Sequence, residues 1–385
     1  MQYDYADNGT RGEVLTQVRR VVVKIGTRLL MDVKGQGPAE RIRQLMKVVG
    51  ELRQSGLEVV VVTSGAIGAG MELLELRRRP KGMAALQALA AVGQCQLMTL
   101  YEEASSELGF HCGQLLLTAA DLHDRSRHLR VAQCLNELLA REVLPVINEN
   151  DSVCVDEIKV GDNDTLAALV AGMARADLTI LLTTIDGMRE RDETTGELGK
   201  RMSVVHELGS EIYNMAQGTD GNRFSVGGMV TKLRAAAMVT RSGEPLIIAE
   251  GFDFAILPRI MAAEDVGTIF LPSRHRRMHA RQRFLAFFSE PQGELIVDEG
   301  AAKALISQGR SLLPGGIVGL RGVFKAGDTV SIVNLARQEI ARGTVNFNHE
   351  DVSRICGAKS GDLARLLDRP VNSQVVVHRD AMVLL

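Results

Sequence analysis

Tryptophan is absent from the 385 residues, and aromatic residues make up only 4%. Stacking platforms for nucleobases or sugar rings are therefore not built in quantity. The five cysteines, Cys95, Cys112, Cys134, Cys154 and Cys356, are scattered and contain no CxxC pair. That pattern argues against a disulfide framework or a zinc site, and for small hydrophobes in a reduced compartment. Neither sign of charge prevails: the net charge of -2 gives no global pull toward nucleic acid or an anionic membrane. No uninterrupted apolar run reaches the ~18 residues of a spanning helix. The opening MQYDYADNGTRGEV is polar and acidic, where a signal peptide is basic and then apolar. These absences predict a soluble, cytoplasmic protein. The GxxxxGK[ST] phosphate loop is also missing from the whole chain.

What is present is a chain 45% hydrophobic, long enough for two domains. From about residue 19 to 270, continuous Val/Ile/Leu runs alternate with helical periodicity. VVVKIGT, a periodic segment from Ala39 to Gln54 and LEVVVVTSG form a strand, helix, strand unit. The rhythm continues with a long helix from Ala84 to Leu108, GQLLLT, a helix near Val131, EVLPVIN, a helix from Thr165, and ADLTILLTT. Such alternation predicts an α/β fold with a mostly parallel sheet buried on both faces. SRHRRMHARQR, residues 273 to 283, breaks the pattern with five Arg and two His. It reads as an interdomain linker whose arginines pair with acids, with RNA contact as the sharper alternative. After it come short, turn-punctuated strands (GELIVDEGA, GIVGLRG, GDTVSIVN, EIARGTVNF, QVVVHRD) at the spacing of a small β-barrel. The predicted boundaries are an N-terminal extension 1–18, an α/β domain 19–272, a basic linker 273–290 and a β domain 291–385. The last carries 11 Lys and Arg against 10 Asp and Glu, so it is nearly neutral.

Two glycine-rich turns end predicted strands, where ligands of open α/β sheets bind. KIGTR places Lys24, Gly26 and Thr27 there, and TSGAIGAG places Ser64, Gly65, Gly68 and Gly70. Glycine lets backbone N–H groups approach an anion, and the following helix points its positive end at it. The spacing GxxGxG differs from the dinucleotide fingerprint GxGxxG. A third turn, VGGMVTK, runs from Val226 through Gly227, Gly228, Met229, Val230 and Thr231 to Lys232. It suggests a phosphate lid with a cation at its far end, against the plainer role of a solvated helix lysine.

The segment INENDSVCVDEIKVGDNDT, Ile147 to Thr165, packs four Asp, two Glu and three Asn between a strand and a helix. So many acids need a cation among them. No EF-hand pattern starts at Asp151 or Asp162, and no His lies nearby, so a protein-held metal is not predicted. N-cap duty before Thr165 accounts for one of Asp162, Asn163 and Asp164 and leaves the others for another task.

Taken in order, KIGT, TSGAIGAG, AAVGQ (Ala90 to Gln94), VINEND, IKVGDND and GGMVTK resemble the motifs of the glutamate 5-kinase family, of the amino acid kinase fold. VDEGA, SLLPGGI and GDTVSI resemble a PUA domain, which bacterial members carry at the C-terminus. The resemblance implies a three-layer sandwich with a mostly parallel sheet, followed by a small PUA-like β-barrel. It implies transfer of the ATP γ-phosphate to the side-chain carboxylate of L-glutamate, the first step toward proline, with Mg²⁺ held mainly through the nucleotide. Matched position by position, Lys24 and Lys232 are the family's catalytic lysines and Asp164 the acid that holds them. Substrate binding carries onto Ser64, Asp151 and Asn163, with Asn148 and Asp162 close by. Nucleotide binding carries onto Lys24, Gly26, Thr27, Thr183, Thr184 and the 226–232 loop. Three positions depart from the pattern: Arg28 for a small residue, Thr184 for an Asp (Asp186 remains nearby), and Ser225-Val226 for Gly-Thr. The family also implies dimers or tetramers and inhibition by proline. Two other readings are a kinase for N-acetylglutamate or aspartate, and an RNA-binding protein with a decayed kinase domain.

Overall fold

The computed structural model describes residues 3–31, 33, 35–153, 162–191, 198–209, 212, 228–273, 277–371 and 373–385. The chain forms two units. One comprises residues 1–122 and 126–277, the other residues 123–125 and 278–385.

The first unit is built on a nine-stranded sheet. Its strands are β1 (Tyr3–Asp4), β2 (Arg20–Ile25), β3 (Glu58–Val62), β4 (Cys112–Leu117), β5 (Leu144–Glu149) and β6 (Leu178–Thr183). After a separate hairpin of β7 (Arg189–Arg191) and β8 (Leu198–Arg201), the sheet adds β9 (Val204–Val205), β10 (Leu246–Glu250) and β11 (Thr268–Phe270). The order is β1-β9-β11-β10-β6-β2-β3-β5-β4. From β10 to β4 every pairing is parallel, and β10 pairs antiparallel with β11. Buried side chains of β2 and β3 explain the parallel arrangement, because both faces need a helical cover. On β2, Val21, Val23 and Ile25 enter a core shared with Ile42, Leu45, Met46 and Val49 of the helix Pro38–Gln54. Strand alternation then turns Val22 and Lys24 to the opposite face, where the helix Asn163–Ala174 lies. The chain runs from β2 to β3 on one side and returns to β6 on the other, so the switch in strand order falls at β2. Crevices for ligands form at the carboxyl ends of strands at such a switch.

The helix Met83–Glu107 is long and apolar enough to suit a bilayer by length and composition, with a hydropathy of 1.3. It is nevertheless part of the globular core, because Leu89, Ala90, Leu97 and Tyr101 are buried. The segment expected as an N-terminal extension also joins the sheet. β1 pairs with β9, and the fully buried Arg11 donates to the carbonyls of Val266, Ser203 and Gly267 at 2.8, 2.9 and 2.9 Å.

The second unit holds a five-stranded sheet, in order β13 (Ile317–Gly322), β12 (Gly293–Val297), β14 (Thr329–Val333), β15 (Glu339–Val345), β16 (Val377–Leu384). All pairings are antiparallel except β12 with β14. Leu295, Val297, Ile332, Ala341 and Val377 form its core with Leu305 of the helix Glu299–Gln308. The stretch expected as a linker to residue 290 folds from residue 278 onward, because its apolar residues find partners. Met278, Leu285 and Ala286 pack with Val383, and the buried Arg283 donates Nε to the Met278 carbonyl at 3.1 Å. Arg277, on the first unit, pairs with Asp177 at 2.7 Å and lies 3.7 Å from Glu244. Arg274, His275 and Arg276 lie outside the described residues.

Candidate active site

The carboxyl ends of β2, β3, β5 and β6 converge on a cleft of about 500 Å³ in the first unit. Lys24 is the last residue but one of β2. Asp164 is in the first turn of the helix that follows β5, and Lys232 is in the first turn of the helix Met229–Ser242. These distant positions meet at one point: Lys24 Nζ is 2.6 Å from Asp164 Oδ1, and Lys232 Nζ donates to Oδ2 at 3.0 Å. All three are buried, with Asp164 1% exposed. Burial by itself would push the Asp164 carboxyl up, but the two ammonium groups outweigh it and hold the group below the ordinary carboxylate value. Thr231 Oγ1 adds a contact at 3.1 Å to the same Oδ2. One carboxylate thereby aligns two cations whose combined charge exceeds its own, leaving a net positive end to the cleft.

Amide and hydroxyl groups occupy another wall. Asn163 Nδ2 lies 2.7 Å from Ser64 Oγ, 2.9 Å from the Thr63 carbonyl and 3.2 Å from Asn148 Oδ1. Asn148 Nδ2 donates to Gln94 Oε1 at 2.9 Å. Gly65, with φ of 100°, turns the chain from β3 into the helix Ala66–Leu73 in a conformation only glycine adopts freely. A side chain there would meet Met31 at 3.0 Å, and the turn lines the cleft through Gly65 and Gly68. Asp162 caps the helix Asn163–Ala174, accepting from Thr165 N at 2.8 Å. Burial raises its carboxyl above the ordinary value despite that bond.

Of the residues singled out in the sequence, Lys24, Gly26, Thr27, Ser64, Asn148, Asp151, Asp162, Asn163, Asp164, Thr183, Thr184 and Lys232 all line this cleft. Met229 and Thr231 turn inward, one buried and the other bonded to Asp164, while Gly228 caps their helix. Val226 and Gly227, with the departure at Ser225, lie outside the described residues, as does the stretch from Cys154 to Gly161. Of the other departures, Arg28 and Thr184 both line the cleft. Asp186 pairs with Arg189 at 2.6 Å and is not among the residues lining the cleft. Among the described residues, no three His, Cys, Asp or Glu side chains are grouped to hold a metal ion.

Three lining or supporting residues had no assigned role in the sequence. Glu149 and Arg79 line the cleft, and Gln94 braces Asn148 from below. Gln94 stands within AAVGQ, so its motif was visible and its role was not. Arg79 lies in a run of charges whose spacing carries no signal.

A lysine–aspartate–lysine junction thus stands at the switch point of a parallel sheet, beside glycine turns that differ from both common nucleotide loops. Residues 19–250 match the amino acid kinase family and residues 293–367 the PUA domain. The chain belongs to the amino acid kinase family. Its relatives include a glutamate 5-kinase from Caldanaerobacter subterraneus subsp. tengcongensis, 44% identical over 366 residues, covering 95% of this chain and 98% of the relative. Another glutamate 5-kinase, from Moorella thermoacetica, is 43% identical over 371 residues, covering 96% and 97%. Among solved structures, a carbamate kinase from Giardia lamblia bound to AMP-PNP is 17% identical, with a TM-score of 0.48, covering 67% of this chain and all of that one.

Proposed function

We propose that this chain is an ATP-dependent kinase that phosphorylates the side-chain carboxylate of L-glutamate, giving glutamyl 5-phosphate for proline synthesis. The observation that carries the reading is the Lys24–Asp164–Lys232 junction opening onto an amide- and acid-lined pocket. The nearly full-length likeness to proteins named glutamate 5-kinase supports the choice of substrate.

The chemistry follows from charge. A side-chain carboxylate is ionised at neutral pH, so the acceptor needs no general base. One of its oxygens attacks the γ-phosphorus, the bond from that phosphorus to the β,γ-bridging oxygen breaks, and ADP leaves with the electron pair. No proton moves. The obstacle is repulsion between two anions, together with charge that spreads over the phosphoryl oxygens during in-line transfer. Lys24 and Lys232 offset both, and Asp164 keeps their flexible stems aimed. Mg²⁺, held mainly by the phosphates, neutralises further charge. Gly26, Thr27, Thr183, Thr184 and the 226–232 loop hold the nucleotide. Ser64, Asn148, Asp151, Asp162 and Asn163 hold the amino acid, with acids for its ammonium and N–H and O–H groups for its α-carboxylate.

This reading extends to a cytoplasmic homo-oligomer, dimer or tetramer, with proline competing at the glutamate pocket. RNA binding by the second unit is a separate reading. Beside the basic segment 273–283, it is favoured by Arg310 and Arg379, which line a cavity of about 760 Å³ with His378.

The test is ADP release with L-glutamate, N-acetylglutamate and L-aspartate as rival acceptors. Glutamate should surpass the other two by kcat/KM, because Asp151 and Asp162 left without an ammonium disfavour the acylated analogue and the shorter aspartate side chain misplaces the attacking carboxylate. Equal turnover of N-acetylglutamate would overturn the substrate assignment.

A further inference from the structure

Gln94 lies mid-way along the helix Met83–Glu107, beside Gly93. It is 7% exposed and stands behind the wall of the cleft. Its Oε1 accepts from Asn148 Nδ2 at 2.9 Å. Asn148 Oδ1 in turn accepts from the backbone N–H of Glu149 at 2.9 Å and from Asn163 Nδ2 at 3.2 Å. Asn163 Nδ2 reaches on to the Thr63 carbonyl and Ser64 Oγ.

The oxygen and nitrogen ends of an amide are told apart by their partners, and here the partners permit one sense. A backbone N–H can only donate, so Asn148 must turn its oxygen toward Glu149. Its Nδ2 then faces Gln94, which must answer with oxygen, since a reversed Gln94 would set two NH₂ groups against each other. A backbone carbonyl can only accept, so Asn163 must turn its Nδ2 toward Thr63. That choice leaves Asn163 Oδ1 to act as an acceptor, and Asn163 lines the cleft. Ser64 Oγ already accepts from Asn163, so its own hydrogen is left to donate.

We propose that Gln94 is a positioning residue: backbone groups set the sense of each amide, and Gln94 Oε1, by holding Asn148 Nδ2, keeps Asn148 in place against Asn163, with Ser64 as a donor and Asn163 as an acceptor toward the bound amino acid. A free amino acid offers the complementary pair, a carboxylate for Ser64 and an ammonium for Asn163. Among the described residues Gln94 Nε2 is buried with no hydrogen-bond partner. An unpaired buried donor is costly, so the amide is retained for what its oxygen does. A methionine of similar size would pack as well and remove the cost. The inference rests on the reading of this cleft as an amino acid site.

The experiment uses full-length Gln94→Met, which keeps volume and loses the acceptor, and Gln94→Glu, which keeps an oxygen toward Asn148. Calorimetric binding of L-glutamate and of ATP–Mg²⁺ is measured for each, with KM and kcat. Gln94→Met should weaken glutamate binding by about tenfold or more while nucleotide binding stays as in the wild type. Gln94→Glu should recover most of that loss. Wild-type glutamate affinity in Gln94→Met, or an equal loss for both ligands, overturns the inference. If Gln94→Met does not fold, Gln94→Leu takes its place, with a tenfold loss of glutamate binding and intact nucleotide binding in favour and wild-type glutamate affinity against. A wild-type chain that binds no glutamate overturns the amino acid reading itself, and the inference with it.

Discussion

Asp164 answers to two buried ammonium groups at once, and its removal cannot be neutral for the fold. Asp164→Asn keeps the shape and leaves Lys24 and Lys232 buried without a counter-charge. Breaking a buried pair in this way costs about 3–5 kcal/mol. Activity should fall further, by on the order of 10²–10³ in kcat, as the lysines lose their aim at the phosphoryl oxygens. Urea unfolding and steady-state kinetics on the same preparation check both. The sign of the pH dependence is fixed by the lowered carboxyl. Its stabilising contribution is present above the ordinary unfolded value of about 4 and is lost as pH falls through the lower folded one. The stability gap between wild type and Asp164→Asn should therefore narrow below about pH 4. A constant gap down to the lowest accessible pH would remove Asp164 as an ionised partner.

Asp162 is the contrasting residue. Its folded carboxyl is raised, so ionisation weakens the folded state as pH climbs from the unfolded value through the raised one. At neutral pH that weakening is in force. Asp162→Asn keeps an N-cap acceptor and removes the charge, so it should be as stable as the wild type or more so. Asp162→Ala loses the cap and should cost about 1 kcal/mol. Equal destabilisation by both, in thermal or urea unfolding, would contradict the capping geometry.

At the scale of elements, the helices Ala66–Leu73 and Met83–Glu107 approach so closely that two glycines carry the crossing. A Cβ on Gly93 would lie 1.8 Å from the Ala66 carbonyl oxygen, and one on Gly70 would lie 2.1 Å from that of Leu89. Backbone cannot yield as a side-chain tip does. Gly93→Ala should thus force the helices apart, moving the Ser64–Gly65 turn and Gln94 together. It should cost roughly 1–3 kcal/mol as an overpacking change and raise the glutamate KM more than the ATP KM. A fully active, fully stable Gly93→Ala would contradict this packing.

The same elements show what the sequence made legible. The parallel strands were readable because burial on both faces demands unbroken Val and Ile runs, as in VVVKI and EVVVV. Asp164 was nameable because IKVGDND is specific, and Lys24 and Lys232 through the family resemblance that this motif anchors. Their meeting was not derivable from spacing, since it depends on helices placed by tertiary packing. β1, β9 and β11 span two or three residues each, too short for a period to register. Arg11 carries no signal in the sequence, because its burial against three carbonyls depends on chain segments about 190 to 260 residues away. Gln94 was visible as a letter in a motif, while its hydrogen bond lies 54 residues away.

At the scale of the whole molecule, a chain of nearly balanced charge brings acidic, amide and ammonium groups together in the cleft of the first unit. The β-rich second unit folds around its own core; the compact unit takes in residues from Met278, while the segment matching the PUA domain begins at residue 293. Charge runs such as SRHRRMHARQR draw the eye to arginine, while the phenylalanines and leucine that follow decide where the fold begins.

The central claim is that this cleft joins the γ-phosphate of ATP to the side-chain carboxylate of glutamate. Hydroxylamine intercepts an acyl phosphate as a hydroxamate and leaves other phosphate esters untouched, so trapping during turnover tests that bond directly. The account predicts γ-glutamyl hydroxamate formed in proportion to ADP, dependent on L-glutamate, ATP and Mg²⁺ together, and nearly abolished in Asp164→Asn. ADP release with no hydroxamate, or hydroxamate undiminished in that variant, would contradict it.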